Sequence, residues 1–437
     1  MNLSIKEHFR RNIILAFPVV ISQLGHIMVG VADTMMVGRV GVIPLAAATF
    51  GSTFYHVLMV FGMGVSFAVT PLVAATDSNE KNLLAKYLQN GVFMSILTAL
   101  ALTGVGLLAA QFLDYFGQEE AVAQMAQPYL IVMTISLIPM MYFQALRQYS
   151  EGLSDTFYPM IVSIAANLLN VFLNYILIYG VWGFPALGLL GAGYATLISR
   201  VIMAMAMHLG KRNRMRHFQW KFDWLIIKRM FRIGVPSGMQ YVFEIGAFAT
   251  SAIMIGWINA ESQAAHLIAI NMAAVTYMVA SGLGAAGTIR IGNQMGLKNK
   301  HDLQVAGYSL LLTVAGFMGT CGLLFILFRH ELVSLYIDDY QVETIAAGLL
   351  IIAAGFQISD GIQAVGLGIL RGLTDVKIPT LVTFISYWVI AIPMAYFLGF
   401  IYELGVDGVW YGLLTGLSMA ALLHFIRFRK LTRQLDF

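Results

Sequence analysis

Residues 87–112 read YLQNGVFMSILTALALTGVGLLAAQF and hold no charged side chain over 26 positions. A helix needs ~20 consecutive apolar residues to cross the ~30 Å hydrocarbon core of a bilayer, and this stretch exceeds that length. Working outward between charged breaks, the same reading finds eleven more runs, at 12–37, 43–74, 122–146, 157–180, 187–209, 231–257, 262–289, 303–328, 341–370, 378–400 and 406–427. Twelve helices take up most of the 437 residues, and no gap is large enough for a soluble domain. Strands of a membrane barrel would be ~10 residues long and polar on alternate positions, which these runs are not. The first run lacks a small-residue cleavage motif and is too long for a signal segment, so it is expected to be a retained span.

Composition agrees with this reading. The chain is 59% hydrophobic and 11% charged, with a mean hydropathy of +0.77, whereas a soluble domain is about a quarter charged. A soluble globular protein, a disordered chain and a disulfide scaffold are excluded. The single cysteine, Cys321, leaves no internal disulfide and no cysteine-cluster metal site. The fold class is an all-α polytopic membrane protein.

With twelve spans both termini lie on one side of the membrane. That side collects 23 of the 26 Lys and Arg residues, the other only Arg39 and Arg329, and Arg200 stays inside or near the sixth span. Cytoplasmic loops carry the basic excess, so both termini are expected in the cytoplasm and the protein in the cell inner membrane. The outer loops are acidic, Asp114, Glu119, Glu261, Asp338 and Asp339 among them. This asymmetry accounts for the net charge of +4, and no nucleic-acid partner is expected. The longest basic stretch, KRNRMRHFQWKFDW at 211–224, lies at the midpoint. It divides the chain into an N-terminal six-helix lobe (1–210), a basic cytoplasmic linker (211–230) and a C-terminal six-helix lobe (231–437).

The two lobes are copies. FPVV at Phe17 and MMVG at 35–38 return 218 residues later as VPSG at Val235 and IMIG at 253–256. Gly62 and Gly64 return as Gly282 and Gly284, and EGLSDTFYP at 151–159 as RGLTDVKIP at 371–379, both at an offset of 220. LGLLGAGY at 187–194 returns as LGVDGVWY at 404–411. Six spans per copy keep both copies in one orientation, related by an axis along the membrane normal, with a site expected at their interface.

Three carboxylates, Asp33, Glu244 and Asp360, fall inside predicted spans. Each is unfavourable there by at least ~2.5–3.5 kcal/mol on insertion scales. A structural ion pair is the plain explanation, yet no Lys or Arg lies at comparable depth to Glu244 or Asp360. Unpaired, they must face water, take up a proton or bind a cation. Asn170 and Asn174 are four apart and share one face of the fifth span, while Thr196 lies on the sixth. Interhelical hydrogen bonding is the ordinary use of such residues, but with Asp33 their oxygens also suit a proton or hard-cation site. His26, His56 and His266 lie in spans without His-x-x-x-His spacing, so no metal centre is expected on them. The sequence has no H-E-x-x-H, G-x-S-x-G or P-loop motif. It reads as no enzyme, with no cofactor beyond a coupling ion; an intramembrane enzyme using its carboxylates as acid and base is the alternative from another class.

Specific residues also carry a resemblance. Pro236 to Glu244, Phe356-Gln357-x-x-Asp360-x-x-Gln363, Leu370 to Asp375 (L-R-G-x-x-D) and VADTMMVG at 31–38 together resemble the multidrug and toxic compound extrusion (MATE) family, NorM-like branch. The likeness covers essentially the whole chain. It implies a V-shaped pair of six-helix lobes around a central cavity, a secondary antiporter exporting small cationic amphipathic compounds in exchange for inward Na⁺ or H⁺, and a monomer. By the same resemblance Glu244, Asp360 and Tyr277 form the C-lobe cation site, where Na⁺ is expected at Glu244 and Asp360. Asp33, Asn170, Asn174 and Thr196 form the N-lobe site, and Asp338 and Asp339 face the cationic substrate. Some NorM-like members carry tyrosine where this chain has Phe356, which removes one oxygen ligand. Asn174 stands where the DinF-like branch has an aspartate, which favours the NorM-like branch. The branch points to Na⁺ as the coupling ion, and the missing hydroxyl pulls toward H⁺. A lipid-linked precursor flippase of the same superfamily is the nearest alternative; its cavity would be basic, whereas this chain places acids in its spans.

Overall fold

The computed structural model describes residues 3–215 and 222–436; Arg216 to Lys221 of the basic linker lie outside the described residues. Among the described residues twelve helices are long and apolar enough to cross a membrane: α1 (Ile5–Gly38), α2 (Val42–Ala74), α3 (Lys81–Gln111), α4 (Glu120–Gly152), α5 (Phe157–Tyr179), α6 (Leu189–Arg212), α7 (Trp224–Gly256), α8 (Ala260–Gly296), α9 (Lys300–Leu327), α10 (Tyr340–Gly372), α11 (Lys377–Ile401) and α12 (Gly405–Arg433). The chain is an all-helical, multi-pass membrane protein whose surroundings are lipid.

Three helices are interrupted, and the interruptions matter for the sites. α2 breaks at Phe67–Ala68 and α4 at Ser136, three residues before Pro139. α11 winds into two π-helical stretches, Ile385–Ala391 and Phe397–Ile401, around Pro393. Such wide turns re-aim the side chains that follow them.

The sequence repeat recurs in atomic detail. In the loop after α4, Ser154 takes a left-handed φ of 64°, and in the loop after α10 Thr374 takes 57°. Asp155 N donates to Ser150 O at 2.9 Å, and Asp375 N donates to Leu370 O at 3.0 Å. Each aspartate then holds a basic residue of the last helix of its copy: Lys211 Nζ lies 2.6 Å from Asp155 Oδ2, and Arg427 Nε 2.8 Å from Asp375 Oδ2. Gly152 and Gly372 are close-approach positions, since a Cβ on either would fall 2.7 Å from the Cβ of Val73 or Ile291 respectively. Small residues let membrane helices pack at this distance.

The chain folds into two compact units, Ile21–Gly238 and Met1–Val20 with Met239–Phe437. Of the linker expected at 211–230, residues 211–212 still belong to α6 and 224–230 to α7, and the division between units falls inside α1 and α7. Physical cause is visible at the start of α1. His8 and Asn12 are fully buried while Ile13 and Ile14 are half exposed. Asn12 Nδ2 donates to Ser309 Oγ at 2.8 Å, and Arg290 bonds both Asn12 Oδ1 (3.3 Å) and His8 Nδ1 (3.0 Å). The first turns of α1 are thereby fastened to α8 and α9. The C-terminal unit packs around Trp410, Phe356, Tyr387 and Leu349, the N-terminal unit around Tyr55, Leu130 and Leu137.

Candidate functional site

In the C-terminal unit Glu244 lies eight residues after Pro236, inside α7. It is 6% exposed, and Asp360 of α10 is 3% exposed. Neither makes an ion pair among the described residues, and Asp360 lies within electrostatic reach of Glu244. Gln363 Nε2, one turn beyond Asp360, donates to Glu244 Oε2 at 3.4 Å, and the Tyr277 hydroxyl of α8 bonds the same carboxylate. The neighbouring Thr276 Oγ1 donates to Gln357 Oε1 at 2.8 Å, which fixes α8 against α10. The structure thus brings Glu244, Asp360 and Tyr277 together.

Phe356 points elsewhere. Its ring packs against Phe248 (centroids 6.0 Å) and Trp410 (5.6 Å) in the apolar core. A different phenol reaches the cluster. Tyr387 is fully buried in the first π-helical stretch of α11, within electrostatic reach of both carboxylates. The adjacent Trp388 Nε1 donates to the carbonyl of Phe243, beside Glu244, at 3.0 Å. Sequence reading missed Tyr387 because a tyrosine in an apolar run carries no spacing signal, and the π-turn breaks the 3.6-residue register. Asp360 Oδ1, Gln363 Oε1 and Tyr387 OH are buried without a hydrogen-bond partner among the described residues. A buried unsatisfied polar group is unfavourable by ~1–3 kcal/mol, so this cluster is suited to receive something that oxygen binds. Two carboxylates and two neutral oxygens form a hard donor set that fits Na⁺.

In the N-terminal unit the four expected residues also meet. Asn174 Nδ2 donates to Asp33 Oδ1, and to Asn170 Oδ1 at 3.2 Å. Asn170 Nδ2 then donates to Thr196 Oγ1 at 3.3 Å and to Ser199 Oγ at 3.4 Å. The i,i+4 spacing of the asparagines makes this a continuous chain across α1, α5 and α6. Two residues were missed. Ser199 ends the chain, and Arg200 lies within electrostatic reach of Asp33. The Arg200 guanidinium bonds the Tyr55 hydroxyl, bonds Ser136 Oγ at 2.6 Å where α4 breaks, and sits 5.1 Å from the Tyr55 ring centroid. The signal for it was present in the sequence, as the one basic residue left inside a span.

Asp338 and Asp339 are exposed before α10. Asp339 caps that helix, its Oδ1 accepting from Gln341 N (3.0 Å) and Val342 N (2.9 Å); Asp338 has no such task. Among the described residues no three His, Cys, Asp or Glu side chains cluster as metal ligands.

Known proteins agree with this architecture. The MatE family model matches residues 18–176 and 236–397. The chain is 31% identical to multidrug resistance protein NorM of Photobacterium profundum, over 99% of this chain and 97% of that one. It is 31% identical to multidrug resistance protein MdtK of Photorhabdus laumondii, over 97% and 95%. In fold it is similar to a MATE protein solved in the bent conformation (TM-score 0.89, 19% identity, 100% and 99% covered) and to a eukaryotic MATE transporter (TM-score 0.86, 19% identity, 99% and 98% covered). Matched through both halves and along nearly its full length, the chain belongs to the MatE family, the multidrug and toxic compound extrusion transporters.

Proposed function

We propose that this protein is a secondary multidrug antiporter of the cell inner membrane, with both termini cytoplasmic, exporting cationic amphipathic compounds in exchange for inward Na⁺. The observation that carries the reading is the Glu244–Asp360 pair, two buried carboxylates with no basic partner among the described residues. Like charges in a poorly polarisable site repel, so uptake of one cation is favoured there, and a cationic drug competes for the same charge. Glu244, Asp360, Gln363 and Tyr387 would hold Na⁺, and Tyr277 orients Glu244. Relatives named as multidrug resistance proteins support drug export; the buried acids favour cationic compounds within that range. The N-terminal chain from Asp33 to Ser199 serves as a second polar site, and Asp338 as an outer contact for cationic drug. The transporter works as a monomer and carries out no covalent chemistry.

The energetics favour more than one charge entering per drug. Inward movement of one charge yields ~2.3 kcal/mol per 100 mV, and a tenfold gradient ~1.4 kcal/mol. One-for-one exchange with a monovalent drug cancels the electrical contribution; two acids allow it to remain. The test is efflux of a quaternary ammonium dye from proteoliposomes at fixed, symmetric pH with a protonophore present. An inward Na⁺ gradient is expected to drive export. Export driven only by a pH step without Na⁺ would replace Na⁺ with H⁺, and equal export of an anionic dye of the same size would overturn the substrate class.

A further inference from the structure

The N-terminal unit carries a crevice lined by none of the residues of the two polar sites. Its volume is about 550 Å³, and Ile96 of α3, Ile138, Pro139 and Tyr142 of α4, and Val201, Ala204, Met205, His208 and Leu209 of α6 line it. The break of α4 at Ser136 and Pro139 forms one wall. On α6 the walls Val201, Met205 and Leu209 are 40–63% exposed while the small Ala204 is buried. All the lining is apolar except one pair. Tyr142 OH and His208 Nδ1 are 2.5 Å apart, their rings stacked with centroids at 6.1 Å. The internal repeat does not need this pair, since the position offset by 220 from Tyr142 is Ile362.

Depth and charge identify the occupant. From Val201 to Leu209 the crevice follows α6 for about 12 Å at 1.5 Å per residue, close to half of the ~30 Å hydrocarbon core. It ends at the basic end of α6. Arg212 lies one turn beyond His208 on the same face, exposed and without an ion pair among the described residues. Lys211 beside it is already held by Asp155. We propose that the crevice binds an anionic phospholipid of the leaflet facing the basic loops, its acyl chain along Val201–Leu209 and its phosphate at His208 and Arg212. A zwitterionic lipid brings a phosphate already balanced by its own ammonium group and so matches Arg212 less well, and a compact sterol would not reach it from the apolar part.

The experiment uses the full chain in nanodiscs containing phosphatidylglycerol or phosphatidylcholine with a photoreactive group at the end of one acyl chain. One basic contact near an anionic headgroup favours the charged lipid about fivefold, so the phosphatidylglycerol probe is expected to label Ile96, Ile138 and Val201 about five times more than the phosphatidylcholine probe. Ala204→Phe fills the crevice and should remove labelling by both probes. Arg212→Gln, at an exposed position, should fold normally and make the two probes equal. Equal labelling by both probes in the unsubstituted protein overturns the proposal, as does labelling unaffected by Arg212→Gln. Displacement of the label by a transported cationic dye would overturn it in favour of a substrate portal.

Discussion

Asp33 in the N-terminal unit and the Glu244–Asp360 pair in the C-terminal unit sit in two copies of one six-helix plan, yet they are served differently. Asp33 accepts from Asn174 at the head of a hydrogen-bond chain that runs to Ser199, with Arg200 nearby. Glu244 and Asp360 have each other, Tyr277 and Gln363, and three of the surrounding oxygens lack partners. Nor do the acids occupy repeated positions. At the offset of 218 that relates this part of the copies, Asp33 corresponds to Ser251 and Glu244 to His26; at 220, Asp360 corresponds to Met140. The copies share loops, aspartate–base pairs and close helix crossings, while their polar interiors differ. In the N-terminal hydrogen-bond chain one side-chain oxygen, Asn174 Oδ1, lacks a partner among the described residues, against three in the C-terminal cluster.

The largest expected effect follows from that contrast. Glu244→Gln and Asp360→Asn should each reduce gradient-driven dye export to the level of protein-free vesicles. Neither should lower the melting temperature, because each replaces a buried charge lacking a basic partner with a neutral isostere. Export retained at normal protein level would erase the proposed difference between the sites. Asn174→Ala should act in the opposite sense. It leaves Asp33 without its donor inside the unit, which should destabilise the fold by ~1–3 kcal/mol and slow export several-fold without altering which ion drives it. Abolished export with unchanged melting would make the N-terminal site an equal coupling site.

A smaller effect sharpens the C-terminal side. The Tyr387 hydroxyl is buried with no protein partner among the described residues, so Tyr387→Phe should keep or raise stability. If the hydroxyl is a sodium ligand, the loss of one oxygen contact worth about 1 kcal/mol weakens Na⁺ binding about fivefold, measurable by titration in detergent without any transport assay. Unaltered Na⁺ affinity would exclude Tyr387 from the site.

What the sequence made legible follows from what each signal measures. Apolar runs located all twelve helices, because a membrane span is defined by the same quantity that hydropathy reads. They placed the start of α1 at residue 12, whereas the helix begins at Ile5. Its first turns carry Lys6, Arg10 and Arg11, with Arg11 paired to Glu7 at 2.8 Å, and their buried face is polar, so no apolar run marks them. Acids in spans were conspicuous because burial of charge is unfavourable. Arg200 was visible but not its partners, since Tyr55 and Ser136 lie on other helices and only the break in α4 brings Ser136 to it. Tyr387 gave no signal at all, being one aromatic among many until the π-turn placed it.

The smallest predictions concern two adjacent acids that sequence reading gave one role. Asp339 spends its carboxylate on the first backbone amides of α10, the helix that carries Asp360. Loss of an N-cap destabilises by about 1 kcal/mol, so Asp339→Ala should lower the melting temperature while Asp339→Asn, which still caps, should not. Asp338 caps nothing and is exposed, so Asp338→Asn should leave melting unchanged. Exposed charge pairs are worth 0.2–1 kcal/mol, and a cationic dye should accordingly lose about twofold in apparent affinity. The same substitution should leave a neutral substrate unaffected. If instead Asp339→Asn weakens the cationic dye as much as Asp338→Asn does, both carboxylates contact the drug and the capping role is shared rather than exclusive.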